Sequence, residues 1–145
     1  MSHFFRKIAV VAVLGLAFAA APAMAETLKF TADLTAAAET PPTTSTGTGK
    51  ATIKLDTVTD KLTWSITYKG LTGKATAAHF HGPAAVGVAA PPVVPITGKL
   101  ASPIKGSAKL TAAQITDLEA GNWYFNVHTA KNPGGEIRGQ VVAVK

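Results

Sequence analysis

Between residues 61 and 70 the chain alternates position by position between apolar and polar side chains. Leu62, Trp64, Ile66 and Tyr68 fall on one side of an extended segment, and Thr63, Ser65 and Thr67 on the other. That is the period of a half-buried β-strand. "KATIKLD" (50–56) places Ile53 and Leu55 on one face, and "LKFTADLT" (28–35) reads as a first strand. The polar stretch Asp56–Asp60 between the second and third segments has the length of a hairpin turn. "TAAHFHG" (76–82) is a short strand that stops at Gly-Pro. "NWYFNVHT" (122–129) directs Trp123, Phe125 and Val127 one way and Asn122, Tyr124, Asn126 and His128 the other. After the turn "KNPGGE", "EIRGQVVAV" (136–144) returns as the last strand. Two stretches lack the pattern: "AAAETPPTTSTGTG" (36–49), expected as a loop without core-forming residues, and "PAAVGVAAPPVVPI" (83–96), expected as a long connection.

One helix interrupts the strands. Thr111 and Gln114 have the spacing of a capping box, flanked by the apolar staple pair Leu110 and Ile115. Ile115 and Leu118 recur at helical spacing, and Gly121 supplies the stop. These limits predict a helix of about ten residues or fewer. Several short strands with one short helix predict an all-β fold, an antiparallel Greek-key sandwich or barrel of the immunoglobulin-like or superoxide-dismutase-like kind. No internal repeat is present.

The first 25 residues read as an export address. Arg6 and Lys7 precede the apolar run "IAVVAVLGLAFAAA", and Ala23-Met24-Ala25 forms a cleavage site. The run is too short to span a bilayer comfortably. The expectation is a cleavable leader over 1–25, a single domain over 26–145, a periplasmic or secreted destination and no membrane anchor. Loss of Arg6 and Lys7 lowers the formal charge from +6 to +4. The lysines are scattered along the chain with no basic run and no interleaved aromatics, so nucleic-acid binding is not expected. There is no cysteine, and both methionines, Met1 and Met24, lie within the leader. Disulfides, thiolate metal sites, thioether ligation and Cys nucleophiles are therefore excluded.

Chemistry concentrates in "HFHGPA" (79–84) and "NVHTAKNPGGEIRG" (126–139), which contain every histidine beyond the leader: His79, His81 and His128. Residues i and i+2 of a strand point the same way, roughly 6.5–7 Å apart. Two such imidazoles can converge on one ion, and His128 joins them if its strand is the neighbour. Three imidazoles without a thiolate suit Cu(II) or Zn(II). Asn126 and Tyr124 share the face of His128. Glu136 and Arg138 share a face of the last strand, and Glu136 is placed to orient the His128 ring across the hairpin. The competing reading is a hydrogen-bonded structural cluster in which these imidazoles satisfy backbone groups near the turns and Glu136 pairs across the strands or with loop backbone.

The motifs His-x-His-Gly-Pro-Ala, Leu-Thr before a helix ending in Ala-Gly, Tyr-x-Asn-x-His-Thr and Gly-Glu-Ile-Arg-Gly-Gln are similar to those of the chordin-type (CHRD) domain family, over nearly all of Leu28 to Val144. The resemblance implies a small β-rich domain, found alone in exported bacterial proteins and repeated in the animal protein chordin, which binds growth factors. It implies no firm activity for bacterial members. The His-x-His strand is also similar to that of copper/zinc superoxide dismutases, although their fourth copper histidine and zinc ligands are not evident. No Gly-x-Ser-x-Gly elbow, phosphate loop or paired carboxylates stand out. The expectation is a non-enzymatic binding or structural module holding Cu or Zn, with a metal ion or an unidentified exported protein as partner. A copper redox enzyme and an extracellular protein–protein interaction module are the alternatives.

Overall fold

The computed structural model describes Met24 and residues 26–145, so the expected leader falls, Met24 apart, outside the described residues. Nine strands and one helix follow in the order β1 (Thr27–Thr35), β2 (Thr48–Asp56), β3 (Lys61–Lys69), β4 (Ala75–His81), β5 (Pro92–Pro95), β6 (Ile104–Lys109), α1 (Ala112–Glu119), β7 (Tyr124–Thr129), β8 (Ile137–Gln140) and β9 (Val142–Ala143). Every strand pairing is antiparallel. The strands form one nearly closed, barrel-like sheet in the order β5-β4-β7-β8-β1-β2-β3-β6, with β9 against β1. The all-β antiparallel class and the single short helix expected from the pattern are borne out.

The period-2 positions decide what lies inside. Phe30, Leu34, Ile53, Leu55, Leu62 and Ile66 from one half of the sheet meet Phe80, Phe125, Val127 and Ile137 from the other, all 2 % exposed or less. The halves touch where the Trp64 and Phe80 rings meet edge to face, centroids 5.3 Å apart. Each such buried side chain is worth about 1.5–3 kcal/mol relative to exposure. A core of this kind holds the fold without any disulfide.

Helix α1 begins as expected. The Thr111 hydroxyl accepts from the Gln114 amide at 3.2 Å, and the Gln114 side chain accepts from the Thr111 amide at 2.9 Å. Leu118 is buried, and Gln114 also donates to the Val93 carbonyl, tying the helix to β5. Among the described residues no helix is long and apolar enough to cross a membrane.

Two of the loop expectations need correction. Residues 92–95 of the expected connection form β5, an edge strand, where two prolines are tolerated because one side of the strand needs no donors. The 36–49 stretch carries buried residues after all: Ala36 at 7 % and Glu39 at 6 % exposure. Strand β7 is buried on both faces. Its inner face fills the core, and its outer face lies under residues 36–44 and 83–91, which hydrogen bond to Tyr124, Arg138 and Glu136.

Candidate functional site

The covered outer face of β4, β7 and β8 carries the polar motif residues singled out in the sequence, Glu136 apart. Register places His79 opposite Asn126, Asn126 opposite Arg138 and His81 opposite Tyr124. His128 lies diagonally across from His79, its backbone partner being Ala77. The three histidines therefore converge, as the i, i+2 spacing and the neighbouring strand require. Their candidate ligand nitrogens all lie within 4.8 Å of one another. The centroids of the His79 and His128 rings are 4.9 Å apart, and those of His79 and His81 5.4 Å. Two ligands at about 2.1 Å from one ion are about 3.4 Å apart at a tetrahedral angle and at most about 4.2 Å apart in a straight line, so a pair separated by 4.8 Å must close by about 0.6–1.4 Å. His79 is the least buried of the three.

Backbone carbonyls set two of the tautomers. His81 Nδ1 lies 2.8 Å from the Ala90 carbonyl, and His128 Nδ1 lies 2.9 Å from that of Pro133. A carbonyl only accepts, so both Nδ1 atoms carry a proton, and Nε2 is the atom left to bind a metal when the ring is neutral. The third histidine completes the cluster through its Nδ1, 3.1 Å from His128 Nε2. Burial lowers the pKa of His79 and His81, and in His79 the neighbouring histidines lower it further. Neutral rings are the form that binds a metal, and an ion at this site would take the place of the hydrogen bond between His79 Nδ1 and His128 Nε2.

His81 Nε2 faces Asn126 Oδ1 at 3.0 Å. Nδ1 is engaged by Ala90, so Nε2 meets the amide oxygen as an N–H donor when the ring is protonated and as a bare nitrogen when it is neutral. A cation held by the neutral ring would have the amide oxygen in reach as a fourth donor beside the three imidazoles. The same ring stacks parallel on Tyr124, within 2° and 4.7 Å between centroids, and the Arg138 guanidinium lies 3.4 Å from the Tyr124 ring centre. Tyr124 is further pinned by its hydroxyl, which accepts from the Ala90 amide and donates to the Ala90 carbonyl. Arg138 donates to the Val88 carbonyl at 2.8 Å and the Thr40 hydroxyl at 3.2 Å. Tyr124 and Arg138 thus hold His81 and its covering loop in place.

Glu136 is not where the hairpin argument puts it. Its fully buried carboxylate accepts from Ser45, from the Thr72 amide and hydroxyl, from Thr129 and from Asn132. Burial pushes its pKa up, but these donors outweigh it and hold the group at about 2. No contact with the His128 ring is made; Pro133 takes that place. Glu136 reaches His128 only by fixing the 129–135 turn that carries Pro133.

One residue had no signal in the sequence. Glu39 lies under the loop beside Asn126 and Arg138, and its Oε1 has no hydrogen-bond partner. Burial raises its pKa to about 7, against the Thr40 amide, the Arg138 charge and the Asn126 amide, which pull it down. A lone Glu between Ala and Thr-Pro-Pro gives no hint of burial.

The CHRD domain model matches residues 30–141. The chain belongs to the CHRD-domain family. Comparison with curated proteins and with solved structures gave no match. The matched span runs from β1 to the residue after β8 and includes all three histidines, Asn126 and both buried glutamates, so the site lies wholly inside the CHRD domain.

Proposed function

We propose that this CHRD domain is an exported, non-enzymatic module that holds a divalent transition metal, Cu(II) or Zn(II), through His79, His81 and His128. The observation that carries the reading is the pair of carbonyl-locked tautomers. Ala90 and Pro133 each take an Nδ1 proton and leave Nε2 facing its neighbours, as the outer partners of metal-bound histidines do. Asn126 Oδ1 supports it as a fourth donor. Tyr124 and Arg138 position His81, and Glu136 positions His128 through the turn. The donors are all neutral, and a nitrogen-rich set of this kind favours Cu(II) over Zn(II) by the usual divalent order. A bound ion would supply Lewis acidity to anything reaching it past the covering loops.

The test is calorimetric titration of the 26–145 chain with Cu(II) and with Zn(II). His79→Ala and His128→Ala are expected to weaken binding by at least about 100-fold, and Asn126→Leu by about 10-fold. Affinity should be level at neutral pH and above and fall only in acid below the ordinary imidazole value of about 6.5, because burial lowers the pKa of His79 and His81 and delays competition by protons. Micromolar or weaker binding, unchanged in the histidine variants, would end the proposal. Histidine-dependent turnover of superoxide by the copper-loaded chain would replace the module with a redox enzyme. A protein partner captured independently of the histidines would favour the interaction module.

A further inference from the structure

Lysines that are scattered in the sequence gather in the fold. The outward positions of β1, β2, β3 and β6 carry only Lys, Thr, Ser and Asp. Seven lysines stand exposed there: Lys29 on β1, Lys50 and Lys54 on β2, Lys61 and Lys69 on β3, and Lys105 and Lys109 on β6. Against them stand Asp33 and Asp56, an excess of five positive charges on one face. Glu26, Asp60 and Glu119 stand at its margins.

The lysines are also arranged against their own repulsion. Register sets Lys29 directly opposite Lys54 and Lys61 directly opposite Lys109. Like charges facing across an antiparallel pair destabilise it. Only Lys50 has an ion-pair partner among the described residues, Asp33 at 3.1 Å, and that pair is well exposed and worth little. Asp56 is occupied by the amides of Val58 and Thr59 in the hairpin turn. Asp56 lies opposite Lys61 and Glu119 beside Lys29, but neither closes to an ion pair, so external anions are the natural counter-charge for the remaining excess.

We infer that this face is an electrostatic docking surface for an anionic lipid bilayer. The charges spread in two dimensions, across four strands and along them, which matches an array of headgroups better than the single line of charge on a polymer. Between them lies a shallow hollow of about 330 Å³ lined by Thr52, Lys54, Thr63, Trp64, Ser65 and Lys105, in which ammonium and hydroxyl donors at the rim can meet a headgroup phosphate above a partly apolar floor. The outward positions of these four strands hold no aromatic side chain to stack on bases, and the apolar side chains beside them, Val142 and Val144 next to β1, are too small to anchor in the hydrocarbon. Attachment is therefore peripheral and reversible. The histidine cluster lies on the outer face of the other half of the barrel, so the docked domain keeps it turned from the lipid. The inference does not rest on the metal reading.

The test is co-sedimentation of the 26–145 chain, which contains every element of the fold, with vesicles of phosphatidylcholine alone or with about a third phosphatidylglycerol. Binding is expected only to the anionic vesicles. It should fall as salt rises from 0.1 M toward 1 M and the screening length shrinks from about 10 Å to about 3 Å. Lys54→Gln with Lys105→Gln should weaken it about 30-fold, about fivefold per lysine. Lys29→Gln with Lys109→Gln gives an independent reading and should do the same. Lys74→Gln with Lys131→Gln, off this face and equal in charge change, should leave it within about twofold. Equal losses in all three pairs, or binding to phosphatidylcholine alone, overturn the inference. So does tighter retention by soluble dextran sulfate at the same anion concentration, which would assign the face to a polymer.

Discussion

At the scale of single residues, Glu39 is the most consequential group that the strand pattern hides. Its ordinary pKa of 4.5 rises to about 7 in the fold, chiefly through burial. Between those values the native protein holds a proton that the unfolded chain releases. Its contribution is therefore fully present below about pH 4.5 and is lost as pH rises through about 7, on the order of 3 kcal/mol in all. Glu39→Gln should accordingly raise the melting temperature at pH 8 and leave it nearly unchanged at pH 4.5; a uniform loss at both pH values would contradict the argument. The histidines, in contrast, were legible because i, i+2 spacing on a strand dictates a shared face. What that spacing could not supply is which atoms hold the rings. Ala90 and Pro133 act through backbone carbonyls, to which side-chain identity is indifferent, and Glu136 turned away because four nearby residues offered it better donors than an imidazole.

Among the elements, those read most readily alternate large apolar and polar residues over seven or more positions. Strand β6 failed that criterion because, after Ile104, its inward positions are Gly106 and Ala108. Gly106 is small because Trp64 fills the space in front of it: a Cβ there would fall 2.5 Å from Trp64 Cζ2. An apolar payload on β3 thus erases the apolar signal on its neighbour. Gly106→Ala is expected to destabilise the fold by about 1–3 kcal/mol, measured by urea denaturation, with near-ultraviolet dichroism reporting a displaced indole. Similarly, β5 was hidden by the prolines that its edge position tolerates. Helix α1 was fully legible because its capping box is a local device that depends on no distant residue.

For the molecule as a whole, Glu136 joins segments that are far apart in the chain: residues 45, 72, 129 and 132 all donate to one carboxylate. With its pKa held near 2 against an ordinary 4.5, its contribution is present above about pH 4.5 and is lost as pH falls toward 2, on the order of 3 kcal/mol. Glu136→Gln should lower stability by about that much at neutral pH and flatten the acid limb of the stability profile. An acid limb as steep as in the unaltered protein would refute that role. None of this convergence is visible in sequence, since it depends on how the loops fold back over the sheet. The sheet also ends in two unpaired margins, β5 and β6. Pro92 and Pro95 strip amide donors from one, and Lys105 and Lys109 charge the other, so an identical strand from a neighbour meets either missing hydrogens or like charge. A crowded population of these domains should therefore resist zippering into fibrils, even though each carries a ribbon of backbone left open on both sides.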